Sequence, residues 1–189
     1  MESERLPVRL IPYCATVDVS EHGSRAGVNK DDPRGCKTNV TLPYIQRYRI
    51  VVGTCAALGI LHNIGCPDGH FTHVIVDEAG QASEPEIMIP LSFAHSDSQV
   101  ILAGDPKQLG PVNQSIYAEH FGLNESFLER LLRQFPYQKD PIGFVTGYDP
   151  RLVTKLLKNY RSLEDLLDLP NKLFYERELI SMVRKNLYC

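Results

Sequence analysis

The sequence predicts an α/β fold built on a parallel sheet with helices on both faces. Three observations carry this. Apolar, β-branched runs recur along the chain, and segments of helical period follow them. The runs are apolar at successive positions instead of alternating, as in strands covered on both sides. Acids and glycines cluster where the runs end, and open parallel sheets bind ligands at the carboxyl ends of their strands.

Composition agrees. Hydrophobic residues make up 43% of the 189 and charged residues 23%, which disfavours disorder as the overall state. The length suits one domain, or one domain with part of another. Twenty Lys+Arg stand against 23 Asp+Glu, so the total shows no strongly basic nucleic-acid footprint. A local positive groove stays compatible with that balance. Charge is uneven: Val51 to Val100 holds no Lys or Arg against six acids. In that stretch no basic side chain can hold a phosphate by charge, whereas a divalent cation could. The five cysteines form no CxxC pair, and the N-terminus has no apolar signal core. Both features predict reduced thiols in the cytosol or nucleus. The longest apolar stretch, Ile50 to Leu61, falls short of the roughly 20 residues that span a bilayer, so no membrane association is expected.

The elements follow in order. Residues 1–48 read as an irregular segment broken by Gly23, Gly27, Pro33 and Gly35, with short strands possible at Val8–Leu10 and Tyr13–Val19. Arg49–Thr54 is a buried strand and Ala56–Asn63 a short helix. Phe71–Val76 is a second strand, ending in Asp77-Glu78. Ser83-Glu84-Pro85-Glu86 is a capping box with Pro in the first turn, opening a helix to about Ser92. Gln99–Ala103 is a third strand, closed by Gly104-Asp105-Pro106. Ser126–Phe135 has the helical period. Pro136–Pro150 reads as a connection. Leu152–Tyr160 is a fourth strand, and Leu163–Leu169 a short helix before Pro170.

Three loops carry candidate chemistry. Adjacent carboxylates at a strand tip are costly unless a cation or water network holds them. Asp77-Glu78 therefore reads either as a Walker B pair or as an acidic opening to an ordinary loop. In the first reading Asp77 holds Mg²⁺ through water, and Glu78 orients and deprotonates the water that attacks a γ-phosphate. Gly104 to Pro111 is a sharp loop with the uncharged Gln108 at its apex, able to bond a terminal phosphate or the attacking water. Asn159-Tyr160-Arg161-Ser162 closes the fourth strand. An Arg there suits an arginine finger, or is a surface Arg. Cys66, His70 and His73 have a C-x3-H-x2-H spacing without a clear fourth ligand, and read as core or surface residues.

In this order and spacing the three loops are specific. VDEAGQASEPE resembles helicase motif II, ILAGDPKQLGPV motif III and LLKNYRS motif IV of superfamily 1 helicases, the group of the nonsense-mediated decay helicase. FTHVIVDEAGQASEPE, LAGDPKQLGPV, GLNESFLERLL and LVTKLLKNYRS are most similar to the Armitage-type RNA helicases, which include the Moloney leukemia virus 10 proteins. The branch acting with PIWI-interacting RNA looks closest. The resemblance covers about residues 45–180.

The resemblance implies two RecA-like domains that clamp ATP between them and single-stranded RNA across their top. Residues 49–135 would be the back part of the first domain, 136–150 the linker and 151–189 the start of the second. ATP and Mg²⁺ would be the cofactors. Asp77, Glu78, Gln108 and Arg161 would be catalytic, and Gly104, Asp105 and Tyr160 nucleotide-binding. Thr54 and Cys55, in VVGTCAALG, match a segment that contacts the RNA backbone, which hydroxyl and backbone N–H groups can do without positive charge. Argonaute or PIWI-type silencing proteins would be partners, in the cytoplasm and its ribonucleoprotein granules. Two departures stand out. No G-x-x-x-x-G-K-[ST] occurs in the 189 residues, so the phosphate cradle and its Lys are absent. Leu163 stands where many relatives carry His. The chain is therefore expected to be an internal piece of a helicase core, inactive alone and prone to associate. The alternative is a non-catalytic RNA- or protein-binding module derived from a helicase.

Overall fold

The structure, a computed structural model, describes residues 8–11 and 41–183; for residues 8–11 and Tyr44 it describes the backbone path. The possible strand at Tyr13–Val19 lies outside the described residues. The chain divides into two compact units, residues 1–105 with 110–127, and residues 106–109 with 128–189.

In the first unit, β1 (Val8–Ile11) pairs parallel with β2 (Ile50–Gly53), Val8 opposite Ile50 and Ile11 opposite Gly53. Between them in sequence lies α1 (Leu42–Ile45). The helical stretch after β2 forms as two single turns, α2 (Cys55–Leu58) and α3 (Ile60–Asn63), meeting at Gly59. Thr54 caps α2: its Oγ1 accepts the Ala57 N–H at 3.2 Å. Ile45, Leu61, Cys66 and Phe93 form a buried cluster, with Val51, Leu58 and Phe71 packed against it. Ile45, Leu61 and Phe93 lose nearly all their exposure, worth about 2–3 kcal/mol each.

The second ladder positions the candidate site. β3 (His73–Val76) pairs parallel with β4 (Gln99–Leu102), with Val76 opposite Leu102. Helix α4 (Glu84–Leu91) packs on one face, burying Ile87 and contacting α2 and β3. Its start is the predicted capping box: the Glu86 carboxylate accepts the Ser83 N–H at 2.9 Å and the Ser83 hydroxyl at 2.8 Å. Helix α5 (Ile116–His120) follows β4, and Ser83 and Ser126 bridge antiparallel. Helix α6 (Phe127–Leu132) then leads into the second unit.

There, β5 (Lys158–Asn159) pairs parallel with β6 (Ile180–Ser181), joined through α7 (Glu164–Phe174). Asn171 holds the end of α7: its Nδ2 donates to Leu179 O at 2.9 Å and its Oδ1 accepts Leu179 N–H at 3.0 Å.

The parallel α/β reading stands, with four corrections. The described strands form three separate two-stranded ladders, not one continuous sheet. Strands expected to be covered on both faces are less covered: in β3 Val74 and Val76 are buried while Ile75 is 66% exposed, and in β4 Val100 and Ile101, on opposite faces, are each 45% exposed. Apolar runs alone cannot tell which face finds a partner. The strand expected at Leu152–Tyr160 shrinks to Lys158–Asn159. Upstream, Asp149 instead accepts N–H groups from Arg151, and Leu152 and Val153 bond back to its carbonyl, so that stretch starts as a turn. Helix α7 runs through Pro170 to Phe174, because buried Leu167 and the Asn171 bonds hold the turns on either side of it.

Candidate functional site

The register of β3 and β4 brings two carboxyl ends to one level. Ala103 N–H donates to Val76 O at 2.8 Å, and Ala79 N–H donates to Ala103 O at 2.8 Å, so the ladder continues past the strands. This joins the Asp77–Gly80 loop to the Gly104–Asp105 loop. The approach is close: a Cβ on Gly80 would lie 2.8 Å from the Asp105 carbonyl oxygen. Glycine is needed there for space.

Asp77 and Glu78 are both exposed at the tip. Asp77 Oδ1 accepts the Glu78 N–H at 3.0 Å, which steadies that carboxylate and leaves its second oxygen for a hydrated ligand. Glu78 holds φ at +53°, a left-handed conformation that costs a non-glycine residue roughly 1 kcal/mol or more. Two bonds support it. Gln81 N–H donates to Glu78 O at 2.9 Å, and Gln81 Nε2 donates to Glu78 Oε2 at 3.3 Å. Among the described residues no three His, Cys, Asp or Glu converge as a metal cage, Cys66, His70 and His73 included. A single fixed, exposed carboxylate suits Mg²⁺, which keeps most of its waters and takes other oxygens from phosphates. The donor set fits the ion.

Thr54 stands at the tip of β2 in the same unit, exposed, its oxygen used as the cap and its hydroxyl hydrogen left to donate. Cys55 opens α2, half-buried. Burial first, and the nearby Glu86 carboxylate second, push its thiol above the ordinary value, so it is neutral at pH 7. It can offer a weak S–H and its backbone N–H, not a thiolate.

Gln108, Tyr160 and Arg161 belong to the second unit. Gln108 is exposed in the short 106–109 segment. Tyr160 and Arg161 follow β5, with Tyr160 70% exposed. Asn159 shapes their turn: its Oδ1 accepts Arg161 N–H at 2.9 Å and Ser162 N–H at 2.7 Å. The first unit thus brings Asp77, Glu78, Gly104 and Asp105 together, and the second holds Gln108, Tyr160 and Arg161. Gly80, Gln81 and Asn159 are site-shaping residues that the sequence reading assigned no role. For Asn159 the signal was legible, since Asn readily bonds the backbone two residues on.

Charge differs between the units. The first holds 8 Lys+Arg and 15 Asp+Glu, the second 12 and 8.

A family profile described as "AAA domain" matches residues 21–116, the stretch that holds the Asp77-Glu78 and Gly104-Asp105 loops. The "Probable RNA helicase armi" of Drosophila melanogaster is 42% identical over 186 residues, covering 97% of this chain and 16% of that protein. The "RNA helicase Mov10l1" of Homo sapiens is 53% identical over 147 residues, covering 76% and 12%. Its Mus musculus counterpart is 50% identical over 147 residues, with the same coverage. The chain belongs to the Armitage and Mov10-like family of superfamily 1 RNA helicases. It spans less than a fifth of the length of these relatives.

Proposed function

We propose that this chain supplies the water-activating and nucleotide-sensing part of an ATP-driven RNA helicase core. The observation that carries it is the joined pair of loops at the β3–β4 tip, with a fixed Asp77 and a strained, exposed Glu78. Asp77 would hold Mg²⁺ through water, and the ion would supply charge neutralisation at the phosphate oxygens. Glu78 accepts the proton of the attacking water, while Gln81 keeps one of its oxygens in place. Gly104 and Asp105 border the nucleotide. Gln108 reports which nucleotide is present, and Arg161 meets the charge that develops on the transferred phosphoryl group. Tyr160, broadly exposed, stacks on the adenine. Thr54 and the N–H of Cys55 contact single-stranded RNA at its sugar–phosphate backbone, without reading bases. Residues 49–135 belong to the first RecA-like domain and 151–189 to the second.

The test is RNA-stimulated ATP hydrolysis by the full-length protein containing this segment. Glu78→Gln should lower kcat by about 100-fold or more while nucleotide still binds. A Glu78→Gln protein with ordinary kcat would overturn the assignment. The 189-residue chain alone should show no RNA-stimulated hydrolysis, because it contains no phosphate-loop sequence.

That missing loop favours a second reading, a non-catalytic RNA- or protein-binding module. RNA binding by the isolated chain, with full activity retained in Asp77→Asn and Glu78→Gln proteins, would establish it. Action in cytoplasmic small-RNA silencing beside Argonaute or PIWI-type proteins rests on the family resemblance. Co-precipitation of such proteins from cytoplasmic extract tests it, and their absence counts against it.

A further inference from the structure

We infer that Asn159 is the positioning residue for Arg161, fixing where the guanidinium is launched by closing the turn after β5. This rests on the proposed role of Arg161.

Among the described residues, no hydrogen bond or ion pair holds the Arg161 guanidinium, and the residue is exposed. Its reach is therefore set by its backbone. That backbone is pinned on both sides. Before it, the Asn159 side chain accepts two successive N–H groups, from Arg161 at 2.9 Å and Ser162 at 2.7 Å. Asn159 is itself seated in the ladder: its carbonyl accepts the Met182 N–H at 2.8 Å. After it, the Ser162 carbonyl accepts the Ser181 hydroxyl of β6 at 2.8 Å. Arg161 thus sits on a short arch with one foot on each strand.

The chemistry explains why an acceptor is required at 159. An arginine finger contributes about 10³- to 10⁵-fold only when it reaches the developing charge. A displacement near 1 Å can cost about a hundredfold. Arg carries large rotamer entropy, so a loose anchor compounds the loss. Asn and Asp can both accept two N–H groups, and Leu, of similar size, can accept none.

The experiment measures ATP hydrolysis by the full-length protein in five variants, R161A among them. Asn159→Leu should lower kcat by about 10- to 100-fold, with KM for ATP within about threefold. Asn159→Asp, which keeps the acceptor, should return kcat to within about threefold of the parent. The double variant N159L/R161A should be no slower than R161A, because both remove one function. Ser181→Ala, loosening the other foot, should lower kcat several-fold with KM unchanged, and decides the matter should N159L fail to fold. Equal losses in Asn159→Leu and Asn159→Asp would overturn the inference, as would multiplicative losses in the double variant. Ordinary kcat in Asn159→Leu beside a large loss in R161A overturns this inference and leaves the proposed function standing. Ordinary kcat in R161A overturns the finger itself, and this inference with it.

Discussion

At Gly80 an added methyl group would meet the Asp105 carbonyl oxygen at 2.8 Å, and both partners are backbone. Neither can swing aside as a flexible side chain would. Gly80→Ala should cost about 1–3 kcal/mol of stability by forcing the two site loops apart. Urea unfolding of the chain reads this, and an unchanged midpoint would show that the loops yield freely. Asp149 supplies a pH signature. Hydrogen bonds from Arg151 hold its carboxyl below the ordinary 3.8, the side-chain bonds first and the backbone N–H second. A depressed carboxylate adds stability that is present above its unfolded pKa and lost as pH falls through the folded one. The parent should therefore lose stability below about pH 4 more steeply than Asp149→Asn. Parallel acid limbs in the two melts would count against the pairing.

Among the elements, α7 departs furthest from local preference. Proline removes a helix-interior bond and crowds the preceding turn, at a cost of about 3 kcal/mol. Pro170 sits inside α7 all the same. Removing it also frees the unfolded chain, which offsets part of the gain. Pro170→Ala should stabilise the chain by about 1–3 kcal/mol, seen as a higher midpoint in chemical unfolding. A lower midpoint would mean that the half-buried ring contributes packing that outweighs the strain. Helix α4 also carries an interior proline, the buried Pro90 near its end, but its start is locally favoured. Its Ser83–Glu86 box, its proline in the first turn and its buried Ile87 all favour one start and one face. Local and tertiary preferences agree at that start, so the start of the helix was readable in advance.

Across the molecule, the β3–β4 ladder leaves the paired Ile75 and Ile101 exposed on one face and Val100 partly exposed on the other, and β2 adds Ile50 and Val52. A flat apolar strand surface invites association. The isolated 189-residue chain should elute as concentration-dependent oligomers, and Ile75→Lys with Ile101→Glu should shift it toward monomer. A concentration-independent monomer in the parent would refute this. None of the helices among the described residues is long and apolar enough to cross a membrane.

The amino-acid order alone carried the motifs, the strands at Ile50, His73 and Gln99, and the capped start of α4. These depend on residues within a few positions of one another: β-branched runs, turn formers, a Ser with a Glu three residues on. It also carried the family, because DEAGQ, GDPKQLG and NYRS stand in that order at strand ends and loops of one chain. Three things waited for the fold. The short β5 and the long α7 follow from partners far away in sequence, Leu179 against Asn171 and Ser181 against Ser162. The covered face of each strand depends on which helix packs there. And the requirement for glycine at 80 exists only because β4 delivers the Asp105 carbonyl beside it, through a register that chain neighbours do not encode.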